Sequence, residues 1–264
     1  LFLRYPVNPV YFPRSEAMQL LKIGGNELSD PGFLEKLAAI VAGIEEPVVI
    51  VHGGGRAIAD MQARLGLKPV KIDGLRVTDA ESLAVSQMVL SGQANKVIVA
   101  ALLAAGVVAI GLSGVDGGLL RCVKKQHPTA DLGFVGQIVE VQPTILASLI
   151  AQGITPVISP ISLGFEGQVY NVNADEAAGA LAAALGARVL NFISNVPAVL
   201  DQDQQPIQYL TPGQTELLIQ SGVIHGGMVP KVKAALAVIG QGVPSARIVN
   251  LSGLEAGSGT LFSQ

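Results

Sequence analysis

Short apolar runs alternate with alanine-rich segments of helical period along most of this chain, and few folds accept that order. The runs "MQLLKI", "PVVIVH", "VVAIGLSG", "ITPVISPI", "RVLNFIS" and "ARIVNL" have the length and β-branched content of buried strands. Between them, "PGFLEKLAAIVAGI", "AESLAVSQMVLSG", "PTILASLIAQG" and "ADEAAGALAAALG" repeat apolar residues at a period near 3.6. Strands joined through helices pair in parallel, and a parallel sheet needs both faces covered. The expected fold is therefore α/β, a three-layer αβα sandwich around a central, largely parallel sheet. A modest break at Gly186 divides it into lobes of residues 1–186 and 187–264.

Composition narrows the function. A net charge of −3 without a polybasic cluster offers nucleic acid no electrostatic footprint. Cys122 stands alone, so no internal disulfide forms and a reducing, cytoplasmic setting is expected. Three histidines and one cysteine, none at ligand spacing, make no case for a transition-metal site. The apolar stretch "VIVAALLAAGVVAIGL", residues 97–112, is short for a membrane span and parses as helix, Gly106 turn and strand. Residues 1–17 hold Pro6, Pro9 and Pro13 and no continuous apolar core; they are read as a loose extension, not a signal peptide.

The informative loops follow strands, where ligands gather in such folds. "VIVHGGGRAI" runs from a buried strand through His52 into Gly53, Gly54 and Gly55, with a helical pattern behind. One glycine there would be a tight turn; three suggest a loop whose amides and helix N-terminus face an anion. Neither G-x-x-x-x-G-K-[ST] nor G-x-G-x-x-G is present. Instead "LLKIGGN" places Lys22 in an apolar strand before Gly24 and Gly25, and "GGMVPKVKAAL" places Lys231 at a helix start. Either lysine could simply reach solvent. "YNVNADEAAGALAAAL" sets Asn171, Asn173 and Asp175 ahead of an apolar helix, where Asp175 alone would read as a cap.

Together these fragments resemble the amino acid kinases, over roughly residues 20–249. The ordered motifs are "KIGG", "VIVHGGG", "GLRVTDAE", "NK", "GLSGVDGG", "DLGFVG", "PVISPI", "NVNADEAAGA" and "GGMVPKV". "GLRVTDAE" and "NVNAD" are similar to the branch acting on N-acetyl-L-glutamate. The resemblance implies ATP-dependent phosphorylation of a side-chain carboxylate, with Mg²⁺ carried on the nucleotide phosphates. It implies an acyl-amino-acid-binding and dimerisation lobe over 1–186, an ATP lobe over 187–264, and a homodimer free of membrane and nucleic acid. Lys22 and Lys231 would clamp the phosphoryl group, and Asp175 would hold both ammonium groups. Amides of Gly53 and Gly54 would face the transferring phosphoryl, with Gly24 and Gly25 nearby. Arg76 would fork onto the substrate's α-carboxylate and Asn171 would meet its amide; otherwise Arg76 would pair with Asp73 or Asp79.

The chain departs from the family pattern in three places. Ser194-Asn195 stand where most members read Thr-Asp, removing a charge from the expected nucleotide contact. Relatives acting on carrier-linked aminoadipate or glutamate share that pair, so such a substrate is a second expectation, and a non-catalytic kinase-fold binder a third. The segment after Asn250 and the prolines before Met18 do not match the arginine-responsive members.

Overall fold

The computed structural model describes residues 18–25, 27–29 and 31–264; the expected loose extension, residues 1–17, lies outside them. The strands are β1 Gln19–Ile23, β2 Val48–His52, β3 Lys71–Ile72, β4 Leu75–Arg76, β5 Ala109–Ser113, β6 Leu120–Lys124 and β7 Gly136–Val141. They continue as β8 Thr155–Ser159, β9 Ile161–Gly164, β10 Val169–Asn171, β11 Val189–Ile193, β12 Tyr209–Leu210, β13 Ser245–Val249 and β14 Thr260–Ser263. The helices are α1 Pro31–Ala42, α2 Gly55–Arg64, α3 Ala80–Gln87, α4 Asn95–Ala104, α5 Thr144–Ile150, α6 Ala174–Leu185, α7 Pro212–Gln220, α8 Met228–Gly240 and α9 Leu251–Ala256. A π-helical segment, Met88–Ala94, joins α3 to α4 in one helix, Ala80–Ala104.

All six expected strands form, and they lie in one eight-stranded sheet of order β12-β14-β13-β11-β1-β2-β8-β5. Its pairs are parallel except β13 with β14. Because side chains alternate along a strand, each strand feeds two cores. Leu20, Val49, Val51, Leu190 and Phe192 pack with α6 and α8 on one face. Leu21, Ile23, Val48, Ile50 and Ile193 pack with α1, α4 and α9 on the other. The expected three layers are the observed ones. Helix α6 is apolar on nearly all sides because it is buried on nearly all sides, and its alanines let the layers approach closely.

A smaller sheet of order β10-β9-β6-β7 escapes the reading of strands from sequence. The polar segment "FEGQVYN" turns at Gly167, which has φ 83°, and its end, Val169–Asn171, pairs antiparallel with β9. The expected helix, Gly106 turn (φ 83°) and strand over 97–112 appear as α4 and β5. Lys71–Arg76 forms a tight hairpin through Asp73 and Gly74, both at positive φ as a two-residue turn of this kind requires.

Register decides where the motifs go. Ile23 pairs with both His52 and Ile193, and Ile193 pairs with Val249, so four strands end level. The chain leaves those ends as Gly24-Gly25, Gly53-Gly54-Gly55, Ser194-Asn195 and Asn250. Helix α6 starts beside the same edge, capped by Asn173, whose side chain accepts from the amides of Asp175 at 2.7 Å and Glu176 at 3.4 Å. Asp175 is thus not the cap, because its side chain is engaged elsewhere. Asn173→Ala should lower unfolding free energy by about 1 kcal/mol, seen as a lower denaturation midpoint at unchanged slope. A wild-type midpoint would show that another group caps α6.

Candidate active site

Lys22 shares a face of β1 with Leu20, two residues away, and that face carries α6. Its side chain is only 16% exposed, and its ammonium lies 2.7 Å from Asp175 Oδ1 in the first turn of α6. Burial on an apolar strand leaves a lysine needing such a partner, so the solvent-seeking alternative does not describe it. Lys231, in the first turn of α8, donates instead to Ser194 Oγ at the end of β11. Its pKa is lowered from 10.5, first by burial; Glu27 and Asp175 act in the opposite direction. The contact expected between Asp175 and both ammonium groups is therefore made with Lys22, while a hydroxyl meets Lys231.

The glycine loops touch through their backbones. A methyl group on Gly25 would lie 2.5 Å from Gly55 N and 2.6 Å from Gly54 Cα and N. Gly53, Gly54 and Gly55 all avoid positive φ, so close approach, not unusual backbone angles, calls for glycine at this junction. One expectation needs correction. The Gly53 amide does not face a ligand, because it extends the sheet ladder and donates to Ile23 O at 2.9 Å. Among the described residues no acceptor takes the amides of Gly54 and Gly55, at the N-terminus of α2.

Arg76 reaches back from the hairpin to donate to Gln62 Oε1 and, at 2.9 Å, to Gly55 O. Neither aspartate considered as its partner holds it. Asp73 meets His127 Nε2 at 3.0 Å, and Asp79 caps α3 by accepting from Ser82 N at 2.8 Å. Burial pushes the Arg76 pKa below the usual arginine value. Asn171, ending β10, donates to Thr78 Oγ1 at 3.3 Å.

Two cavities meet at these residues. One, of about 250 Å³, is lined by Gly53, Gly54, Arg76, Asn171 and Asn173 among others. The second, of about 770 Å³, runs past Gly24, Glu27, Ser194, Asn195 and Lys231. Their common wall is Lys22, Gly25, Gly55, Lys71, Arg76 and Asp175. Along the larger cleft Lys22, Arg56, Lys71, Arg76 and Lys231 stand against Glu27 and Asp175 among the described residues, so an acidic protein presents a cationic site. Two chambers sharing such a wall suit two anions brought end to end.

Residues 17–250 match the model of the amino acid kinase family. The chain belongs to that family. The kinase is 51% identical over 235 residues to an acetylglutamate kinase of Roseiflexus sp. (strain RS-1), covering 89% of each chain. It is 49% identical over 247 residues to an acetylglutamate kinase of Chloroflexus aurantiacus (strain ATCC 29366 / DSM 635 / J-10-fl), covering 93% of this chain and 96% of that one. The solved structure of smu.665 from Streptococcus mutans UA159 superposes with a TM-score of 0.79 at 28% identity, covering 93% and 98% of the two chains. As a member of a kinase family, the protein is a phosphotransferase.

Several residues of the kinase's site carry no signal in sequence. Gln62 is a fully buried polar residue in an otherwise ordinary amphipathic helix, and it bridges Arg76 to Ser82 Oγ at 2.9 Å. Glu27, Arg56 and Lys71 look like surface charges until folding turns them toward the cleft.

Two glycine variants separate close packing from ligand space. Gly25→Ala must displace the Gly54–Gly55 backbone and should cost about 1–3 kcal/mol of stability. Gly53→Ala finds its nearest heavy atom at 3.5 Å, so it should fold normally yet lose phosphoryl transfer. Thermal midpoints beside kcat test this pair; full activity in Gly53→Ala would remove the ligand from that spot.

Proposed function

We propose that this kinase transfers the γ-phosphoryl group of ATP to the side-chain carboxylate of N-acetyl-L-glutamate, giving N-acetyl-L-glutamyl 5-phosphate in arginine biosynthesis. The observation that carries the reading is the shared wall of the two cavities, with Lys22 held by Asp175 between them. Identities near one half to acetylglutamate kinases, along almost the whole of both chains, support the choice of substrate.

The acyl amino acid occupies the smaller cavity. Arg76, steadied by Gln62 and Gly55 O, keeps guanidinium donors for its α-carboxylate, and Asn171 serves the amide. The side-chain carboxylate is already ionised at neutral pH, so no general base is needed. One of its oxygens attacks the γ-phosphorus, the bridging P–O bond to the β-phosphate breaks, and ADP leaves with the electron pair. Lys22 and the loop amides stabilise charge on the transferring group, and Lys231 takes the leaving side. Asp175 orients Lys22 and is not a base. ATP lies along the larger cleft, which reaches the lobe of residues 187–264 at Ser194, Asn195 and Lys231. The cleft offers more cations than carboxylates, so Mg²⁺ belongs on the nucleotide phosphates, where it adds positive charge.

Arg56 and Lys71 also give the cleft a basic edge, the feature that a carrier-linked acidic substrate would use. Trapping the acyl phosphate with hydroxylamine decides between the two. Turnover is expected with free N-acetylglutamate; turnover confined to a carrier-linked acid would transfer the reading to that substrate. Lys22→Ala and Lys231→Ala should each lower kcat about 10²-fold. Lys231 works protonated, so raising the pH through its lowered pKa removes the working form. An alkaline fall in kcat/KM for ATP is expected below the ordinary lysine value of 10.5, and Lys231→Arg should shift it to higher pH.

We also propose a cytoplasmic homodimer. Met88, Val97 and Leu103 expose apolar surface on the helix Ala80–Ala104, and Val108 and Ile110 do so beside it at the sheet edge. That helix is long and apolar enough to cross a membrane, but Leu83, Val89, Leu90, Ile98 and Leu102 are buried in the protein core. The remaining apolar face beside the open edge of β5 suits a second copy. Val97→Asp combined with Leu103→Asp should halve the mass in solution; a monomeric wild type would refute the dimer.

A further inference from the structure

We propose that His52 is a positioning residue: it carries its proton on Nδ1, pins the Gly53 carbonyl inward and thereby aims the Gly54 amide at the transferring phosphoryl group. The last step rests on the kinase reading above; the proton position rests on geometry alone.

The proton can be traced from a group whose role is not in doubt. The Lys96 ammonium only donates, and it lies 3.0 Å from Asn95 Oδ1 and 3.1 Å from Gly111 O. The oxygen of the Asn95 amide is thereby identified. Its nitrogen, on the other branch, lies 2.9 Å from Val157 O and 3.3 Å from Leu112 O, both of which only accept. That same nitrogen lies 3.2 Å from His52 Nε2. An amide nitrogen cannot accept, and its two protons reach the nearer two of these three neighbours, Val157 O and His52 Nε2, so Nε2 is the bare ring nitrogen. The proton of the neutral ring then sits on Nδ1, 3.0 Å from Gly53 O, and donates to it. His52 is fully buried, and burial pulls its pKa down to about 4 against the opposing hydrogen bond to Gly53 O, with a smaller lowering from Lys96. The ring is uncharged at neutral pH.

The helix is built to hold this relay. The π-helical segment ends immediately before Asn95, and its wider turn changes the direction in which the following residues point. Ser91 Oγ, within that segment, meets Ser159 Oγ at 2.8 Å at the end of β8. Gly111 has no side chain where the Asn95 amide sits; a methyl group there would overlap Asn95 Oδ1. Asn95 thus joins β2, β5 and β8 just short of their carboxyl ends.

The consequence for the loop follows from peptide planarity. In a trans peptide the carbonyl of Gly53 and the amide of Gly54 point in opposite directions. With the carbonyl tied to His52 inside the protein, the amide is turned to the opposite side, where the 250 Å³ cavity is lined by Gly53, Gly54 and Gly55. The preceding residue cannot supply a free amide, since Gly53 N is spent on Ile23 O. His52 therefore orients a donor without touching substrate.

Two variants and one spectrum test this. The amide nitrogen of His52→Asn can reach the Nδ1 position and donate to Gly53 O. His52→Gln can reach toward Asn95 but puts no donor beside that carbonyl. His52→Gln should lower kcat about tenfold or more, with KM for ATP and the acyl amino acid changed less than about threefold. His52→Asn should recover most of kcat at a similar thermal midpoint. Wild-type kcat in His52→Gln, or equal losses in both variants, would overturn the assignment. Independently, ¹⁵N-histidine spectra of the wild-type protein should show one buried ring protonated at Nδ1 and bare at Nε2 through neutral pH. The opposite tautomer, or an imidazolium, would overturn it whether or not N-acetylglutamate proves to be the substrate.

Discussion

A lysine on the central strand of a sheet must find a countercharge, and here that need fastens the large sheet to α6. Alternation along β1 puts Lys22 on the α6 face. Asp175 answers it at 2.7 Å, which holds the helix N-terminus beside the ends of the parallel strands. The neighbouring residues finish the joint. Asn173 caps the helix, and Glu176 accepts from Ile138 N at 2.9 Å while pairing with Lys125 at 2.9 Å, tying in the smaller sheet. One helical turn thus connects both sheets, and the site lies where they are joined. The geometry of the site and the cohesion of the fold come from the same few contacts.

The glycines follow from that convergence. Once strands end level, the chains leaving them crowd one another. Gly25 accommodates this by letting backbone lie on backbone at a distance that any Cβ would forbid. Glycine weakens the segments it occupies, and the loss is offset by ladder bonds that run to the edge of the loop, including Gly53 N to Ile23 O. Beyond that last ladder bond the amides of Gly54 and Gly55 have no acceptor among the described residues. On the proposed function an anion would supply one.

What could be read from sequence was set by burial. Strands of the parallel sheet are covered on both faces, so "VVIVH" and "VLNFI" are continuous apolar runs and stand out. "LRCVK" and "GQIVEV" are just as long but partly exposed, with charged and polar residues among the apolar ones, so the smaller sheet gives no comparable signal. Helix α7 was readable but unread: Thr211 and Gln214 form a capping box with Pro212 at the first turn. Singly, Lys22, Asp175 and Lys231 read as solvent-seeking lysines and a helix cap; only through their motifs taken together are they legible as chemistry. Their pairing was not, because Ser194 displaced Asp175 as the partner of Lys231 only through the placement of β11 against α8. Which amide of "HGGG" is free was likewise invisible. Register assigns the first to the sheet, and no local pattern encodes register across strands separated by a helix.

The two lysines differ in a way that bears on how an empty site stays folded. Lys22 is neutralised within the protein, whereas Lys231 rests on a hydroxyl and burial works against its charge. A cleft with every cation paired would have little left for a polyphosphate; one with every cation unpaired would repel itself. Pairing the lysine at the wall between the two cavities and leaving the outer one unmatched keeps the wall in place before ligands arrive. On the proposed function, a phosphate beside Lys231 would restore the proton affinity that burial removes and stabilise only the folded state, tying folding to occupancy. Such attraction is short in range, fading over about 8–10 Å at physiological salt. A chain of net charge −3 can therefore remain acidic as a whole and still draw two anions into one cleft.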